Sequence, residues 1–198
     1  MKNMTEQERY EKIDLPFYRQ VVKPLLPPVV LDFHAHLWSR SHWKTVPYED
    51  GSPGGRYIVV ASEYLKEDLA YDARRILPDN EFRAVCFGMP TPAADIEKTN
   101  SYLAEAGKES WIHALMLAGR NLASPEALEE SLRRGSFWGY KVFLDWYGDD
   151  YGDRRIEDML SPVEMDPAER YRLIVLLHVP RSGRLLSLIH ISEPTRPY

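Results

Sequence analysis

His34 and His36 close an apolar run, VVLDFHAH (Val29–His36), and on a β-strand two residues at that spacing share a face at the strand's end. Two imidazoles aimed at one point in space could share a divalent metal ion. Far along the chain a second apolar run, LIVLLHVP (Leu173–Pro180), closes on His178. The expectation is that these two strand ends meet and that His34, His36 and His178 ligate one metal. A lone His-x-His also occurs by chance on surface strands. The apolar approach, the second run ending in histidine, and Asp32 on the same face as a carboxylate able to orient an imidazole favour the ligand reading. Cys86 is the single cysteine, which leaves no disulfide and no cysteine-rich zinc site, so ligands must be His and carboxylate.

Elements that could carry those strand ends recur along the chain. Residues 1–28 read as a polar helical lead followed by a stiff connector, since Pro24, Pro27 and Pro28 fix backbone angles just before Val29. A long stretch with Pro47, Gly51, Pro53, Gly54 and Gly55 follows Trp38 and is placed to wall a pocket. Ser62 is expected to cap a helix reaching about Leu77, because Leu65, Leu69, Ala73 and Ile76 recur at helical spacing and Pro78 stops it. A strand at Phe82–Phe87, a helix opened by Thr91-Pro92 and closed near Gly107, and a strand at Trp111–Leu117 come next. Ser124, Pro125 and Gly135 punctuate a third helix, and Phe137–Leu144 reads as a strand. Ser161-Pro162-Val163-Glu164 and Asp166-Pro167-Ala168-Glu169 each fit a capping box, so a short helix begins near one of them. With no glycine to end that helix near Arg172, Leu173–Leu177 rests on Ile174 and Val175 for its reading as a strand.

Strand and helix thus alternate five times, which argues for a parallel sheet with helices packed outside it. An open doubly wound sheet and a (β/α)₈ barrel both satisfy the pattern, and histidines at the carboxyl ends of two distant strands favour the barrel. Five strands make a partial barrel, about five of eight βα units. Residues 29–185 are read as the N-terminal part of a barrel, and residues 186–198 resemble translated adapter sequence and are set aside, His190 with them.

Bulk properties bound the function. A chain of 198 residues, 44% hydrophobic and 12% aromatic, can bury one good core. The formal charge of −5 is spread over both halves without a basic block, which disfavours nucleic-acid and membrane-surface binding. No apolar run approaches the roughly 20 residues that cross a bilayer, and the start lacks a secretory core, so the expected location is cytoplasmic.

DFHAH near the start, GYKVF in the middle and LLHVPR after it resemble the amidohydrolase superfamily, in particular its amidohydrolase-related TIM-barrel branch, over about Val29–Leu185. The resemblance implies one or two divalent metals, often zinc, at the carboxyl end of the barrel. It places the first-strand motif on His34 and His36 and the fifth-strand histidine on His178. A histidine after the sixth strand and an aspartate after the eighth, ligands elsewhere in the family, have no counterpart here. In part of the superfamily a fourth-strand lysine is carboxylated and bridges two metals, and Lys141 occupies a similar strand. Its alternative is a lysine paired with an acidic neighbour.

Arg181, three residues past His178, could grip a substrate carboxylate with two parallel hydrogen bonds, or be a surface arginine. Asp145, Trp146 and Tyr147 follow the fourth strand and could line the same mouth. His113, near the beginning of its strand, reads as structural, and His42 as exposed. The expected partner is a small-molecule substrate, possibly a carboxylate. A metal held by neutral imidazoles lowers the pKa of bound water from 15.7 to about 7, so hydrolysis of an amide, ester or lactone leads. No general acid or base can be assigned. Decarboxylation at the same kind of site and a non-catalytic incomplete fragment are the competing readings.

Overall fold

The computed structural model describes residues 4–44, 61–89, 93–119, 124–134, 137–143 and 156–178. Five strands, β1 (Val29–His36), β2 (Glu81–Phe87), β3 (Ile112–Leu117), β4 (Phe137–Phe143) and β5 (Ile174–His178), form one sheet in chain order. Every adjacent pair is parallel, and the sheet curls into a half-barrel. Sequential parallel neighbours require each connection to cross back over the sheet. The helices α1 (Lys66–Ile76), α2 (Ile96–Ala106), α3 (Pro125–Arg134), α4 (Ile156–Met159) and α5 (Pro162–Tyr171) lie in those connections.

Side-chain alternation divides the core. Ala84 and Cys86 of β2 pack with Leu69 of α1 and with Leu103 and Ala106 of α2 on the helix-covered side. Their neighbours Val85 and Phe87 meet Leu115, Leu117, Ile174 and Leu176 on the other, concave side. Met116, Tyr140 and Val142 extend the helix-side core to Leu128, Met159 and Ala168. The concave face thus presents alternate residues of every strand, and its carboxyl-end rim receives the last ones.

Two helices begin later than their punctuation suggests, and in each the delay comes from pairing with the segment after β1. α1 starts at Lys66 rather than at Ser62, because Tyr64 is held in an antiparallel bridge with Trp38 (Trp38 N–H to Tyr64 O, 2.9 Å; Tyr64 N–H to Trp38 O, 2.8 Å). The Asp68 carboxylate then takes the Leu65 amide at 2.8 Å and serves as the cap. α2 starts at Ile96, capped by the Asp95 side chain. Residues 93–95 are occupied in pairing with the segment after β1, Lys44 N–H to Ala93 O at 2.8 Å and Asp95 N–H to His42 O at 2.6 Å. Thr91, Pro92 and Gly135 lie outside the described residues. Ser124 caps α3 as expected, its Oγ accepting the Ala127 amide at 3.2 Å.

α5 opens on the capping box Ser161/Glu164, the Ser161 amide donating to Glu164 Oε2 at 2.8 Å. It ends without glycine. Arg172 takes the left-handed conformation (φ 54°), and the Leu173 amide reaches back to Ala168 O at 2.8 Å, the long-range bond of a Schellman stop. That stop releases Ile174 into β5. The lead is helical through Glu6–Arg9, Tyr10–Asp14, Leu15–Phe17 and Tyr18–Val22, the second and fourth of these being π turns, and ends in the 3₁₀ turn Lys23–Leu25. Tyr18 is buried and hydrogen-bonded to Asn80, while Arg19 and Lys23 pair with Asp79 at 3.1 and 3.2 Å.

Candidate functional site

β1 reaches the rim through an irregularity. Its register against β2 shifts between Asp32 and Ala35, so Phe33 and His34 together oppose Val85, a β-bulge of the kind that re-aims side chains. The Asp32 carboxylate accepts the backbone N–H of His34 at 2.9 Å. Asp32 therefore fastens the bulge, where the sequence suggested that it would orient an imidazole.

Beyond the bulge the two imidazoles converge. The His34 and His36 ring centroids are 5.3 Å apart, and both rings stand edge-on to Phe87, at 4.9 and 4.6 Å. His36 Nδ1 lies 3.0 Å from the Gly88 carbonyl, which fixes it as the N–H donor and leaves Nε2 as the basic nitrogen. Gly88 is held tightly from behind, since a Cβ there would fall 2.2 Å from Thr99 Cγ2. Burial drops His36 to about 4 from 6.5, outweighing the Gly88 bond that opposes the shift. His34 is also lowered, first by burial and then by the nearby charges of Lys141 and His178. Both imidazoles are neutral at pH 7, the form that donates to a metal.

Lys141 of β4 joins the same platform. Its side chain is 1% exposed, and its Nζ sits 4.4 Å from the Phe87 ring centroid. Burial lowers it to about 8 from 10.5. His178 ends β5 beside Phe143 of β4, near enough for its charge to depress both His34 and His36. Three strands thus direct His34, His36, Lys141 and His178 to one rim.

Phe87 is the member that sequence reasoning missed. The signal was present, because Phe87 ends the β2 run on the face opposite Cys86, next to the strand that carries the histidines. Arg181, Asp145, Trp146 and Tyr147 lie outside the described residues. His113 is buried against Trp138 with ring centroids 3.9 Å apart, consistent with a structural residue. His42, read as exposed, is instead 7% exposed, its ring 5.4 Å from that of Tyr102 on α2. The pairing of residues 42–44 with 93–95 turns it inward. A cavity of about 1040 Å³ between α2 and α3, lined by Asn100, Ser131 and Phe137 among others, includes none of the rim residues.

As a metal site the rim fits in the kind of donor and is incomplete in number. Two neutral imidazoles are suitable ligands, one with its tautomer fixed by a carbonyl. Among the described residues no three His, Cys, Asp or Glu side chains stand close enough to hold an ion.

Fold and rim together define an α/β protein of the partial-barrel class with paired histidines at the carboxyl end of its first strand. No protein-family profile matches the sequence, and no curated protein sequence matches it. A crystal structure of an Agrobacterium tumefaciens protein in its apo form is similar over 87% of this chain and 56% of its own, with a TM-score of 0.52 at 16% identity. A Pseudomonas putida protein, provisionally named a 2-pyrone-4,6-dicarboxylic acid hydrolase, is more loosely similar, with a TM-score of 0.39 at 18% identity over 77% of this chain and 57% of its own. The first likeness is one of fold, and the second is too loose to add to it. The chain spans just over half the length of these two proteins.

Proposed function

We propose that the rim is part of the metal centre of an amidohydrolase-like hydrolase, acting on an amide, ester or lactone in a small molecule that carries a carboxylate. The observation that supports this most is the approach of the His34 and His36 rings to 5.3 Å at the carboxyl end of β1, with Lys141 Nζ 4.4 Å from the centroid of the Phe87 ring that both imidazoles touch. His34 and His36 would hold a divalent ion, zinc being the expected one, with His178 and Lys141 as further donors. Bound there, the ion supplies Lewis acidity and lowers the pKa of water from 15.7 to about 7.

The chain's own residues prepare the place. Gly88 presents its carbonyl to His36 Nδ1, so that the ring keeps one orientation and directs Nε2 away from the backbone. Phe87 is fully buried in contact with the two imidazoles and the lysine, and its ring excludes water from the sides they turn to it, which favours neutral histidines. Lys141, lowered by burial, gives up its proton more readily than an exposed lysine, and a neutral amine can act as a donor or take up carbon dioxide.

The test is a panel of carboxylate-bearing lactones, esters and amides incubated with the zinc-supplemented chain, with products identified by mass spectrometry. Uptake of one water per turnover, lost in His36→Asn, is the expected result. Release of carbon dioxide without water uptake would replace hydrolysis by decarboxylation. Turnover unchanged in His36→Asn would remove the rim from the chemistry.

A further inference from the structure

The face that β1 shows changes partway along the strand. Val29 stands opposite Glu81, Leu31 opposite Arg83 and Asp32 opposite Ala84. Partners in a parallel pair share a face, so Asp32 lies with Ala84 on the helix-covered side, while Val29, Leu31 and Phe33 lie on the concave side. Carried on without interruption, that alternation would send His34 and His36 to the side of Asp32, towards Leu69, Leu103 and Ala106. The extra residue between Asp32 and Ala35 prevents this. Past the bulge Ala35 stands opposite Cys86 and packs with it on the helix side, and His36 stands opposite Phe87. A slip of one residue exchanges the two faces of a strand, and here it brings both imidazoles to the concave rim.

The two histidines are held there in different ways. His36 follows from its neighbours. Ala35 and Leu37, 6% and 0% exposed, are seated in the helix-side core, so the residue between them must face the other way, and the Gly88 carbonyl fixes its ring. His34 is one of the two residues that together oppose Val85, where alternation dictates no side. Its backbone is tied by the Asp32 carboxylate, which accepts the His34 N–H at 2.9 Å. That bond closes over Phe33 and so fixes the extra residue at Phe33–His34 rather than elsewhere along the strand.

We propose that Asp32 is a positioning residue of the rim, whose carboxylate, by accepting the His34 N–H, locks the bulge that turns the His34 imidazole to His36 and Phe87. It acts as a hydrogen-bond acceptor and not through its charge. The consequence for metal binding rests on the function proposed above; the placement of the ring does not.

The test is NMR of the metal-free full chain with labelled histidine and phenylalanine, comparing wild type with Asp32→Asn and Asp32→Ala, followed by zinc titration of the same samples. Wild type should show cross peaks from Phe87 to both imidazoles, whose ring centroids lie 4.9 and 4.6 Å from its own. Asparagine keeps an oxygen acceptor, so Asp32→Asn should retain both. Asp32→Ala should lose most of the His34 cross peak and keep that of His36, which has anchors of its own. Zinc affinity should fall about tenfold in the alanine variant and stay near wild type in the asparagine one. Both cross peaks unchanged in Asp32→Ala, both lost together, the His34 cross peak lost in Asp32→Asn, or zinc held by Asp32→Ala as tightly as by wild type would each overturn the proposal. Cross peaks that follow the expected pattern in a chain that binds no zinc would uphold the placement of the ring and overturn the metal reading instead.

Discussion

In the presence of a chelator, lowering the pH from 7 to 5 should cost the folded chain about 2 kcal/mol through His36 alone. Burial brings His36 to about 4, against 6.5 for an exposed histidine. Between those values the unfolded chain binds a proton that the folded chain refuses. Stability is therefore complete above the unfolded value, and is lost as the pH falls from about 6.5 towards about 4. Each unit of separation is worth about 1.4 kcal/mol, and most of the span between 5 and 6.5 lies inside the titrated range. The assay is urea unfolding of wild type and His36→Asn at both pH values. Asparagine keeps a donor for the Gly88 carbonyl and removes the titration. Shared contributions, including those of the lowered His34, His42 and His113, largely cancel in the comparison. Wild type should lose about 2 kcal/mol more than the variant. An equal loss in the two proteins would mean that His36 is not held neutral by the fold.

Lys141→Met should remove the rise in stability that the wild type shows at alkaline pH in the same assay, since burial lowers the ammonium to about 8 from 10.5 and methionine does not titrate. Because the folded value lies below the unfolded one, the wild type should gain stability as the pH rises from about 8 to about 10.5, and an equal gain in the variant would show that Lys141 is not the group responsible. Gly88→Ala should cost about 1–3 kcal/mol through the collision with Thr99 and should move the His36 imidazole resonances in an NMR spectrum as the carbonyl shifts. Arg172→Gly should raise stability by about 1 kcal/mol, because the left-handed stop of α5 suits glycine better than arginine; a loss would assign the arginine side chain a contact of its own.

Much of this was legible in the sequence where local and tertiary preferences agree. The apolar runs ending in His36 and His178 are strands, and Ser124-Pro125 starts a helix, because each feature is fixed by its immediate neighbours. Ser62 and Thr91 misled for one reason. Both precede helices, but residues 64 and 93–95 are drawn into pairing with the segment after β1, and no local signal announces a partner some 20 to 50 residues away. His42 was misread by the same pairing. The π turns of the lead helix and the bulge at Phe33–His34 are departures from ideal geometry that periodicity alone does not reveal. At the rim, the histidines were visible as chemistry, whereas Phe87 and the Gly88 carbonyl, which orient them, look like ordinary strand residues until the sheet is assembled.

Zinc content per chain tests the central claim most directly. The chain is dialysed against buffered zinc, freed of loosely held metal, and analysed by plasma mass spectrometry beside His34→Asn, His36→Asn and His178→Asn. The account predicts about one equivalent in wild type and a marked loss in all three variants. Metal below about a tenth of an equivalent, or retained unchanged when the histidines are replaced, would contradict it.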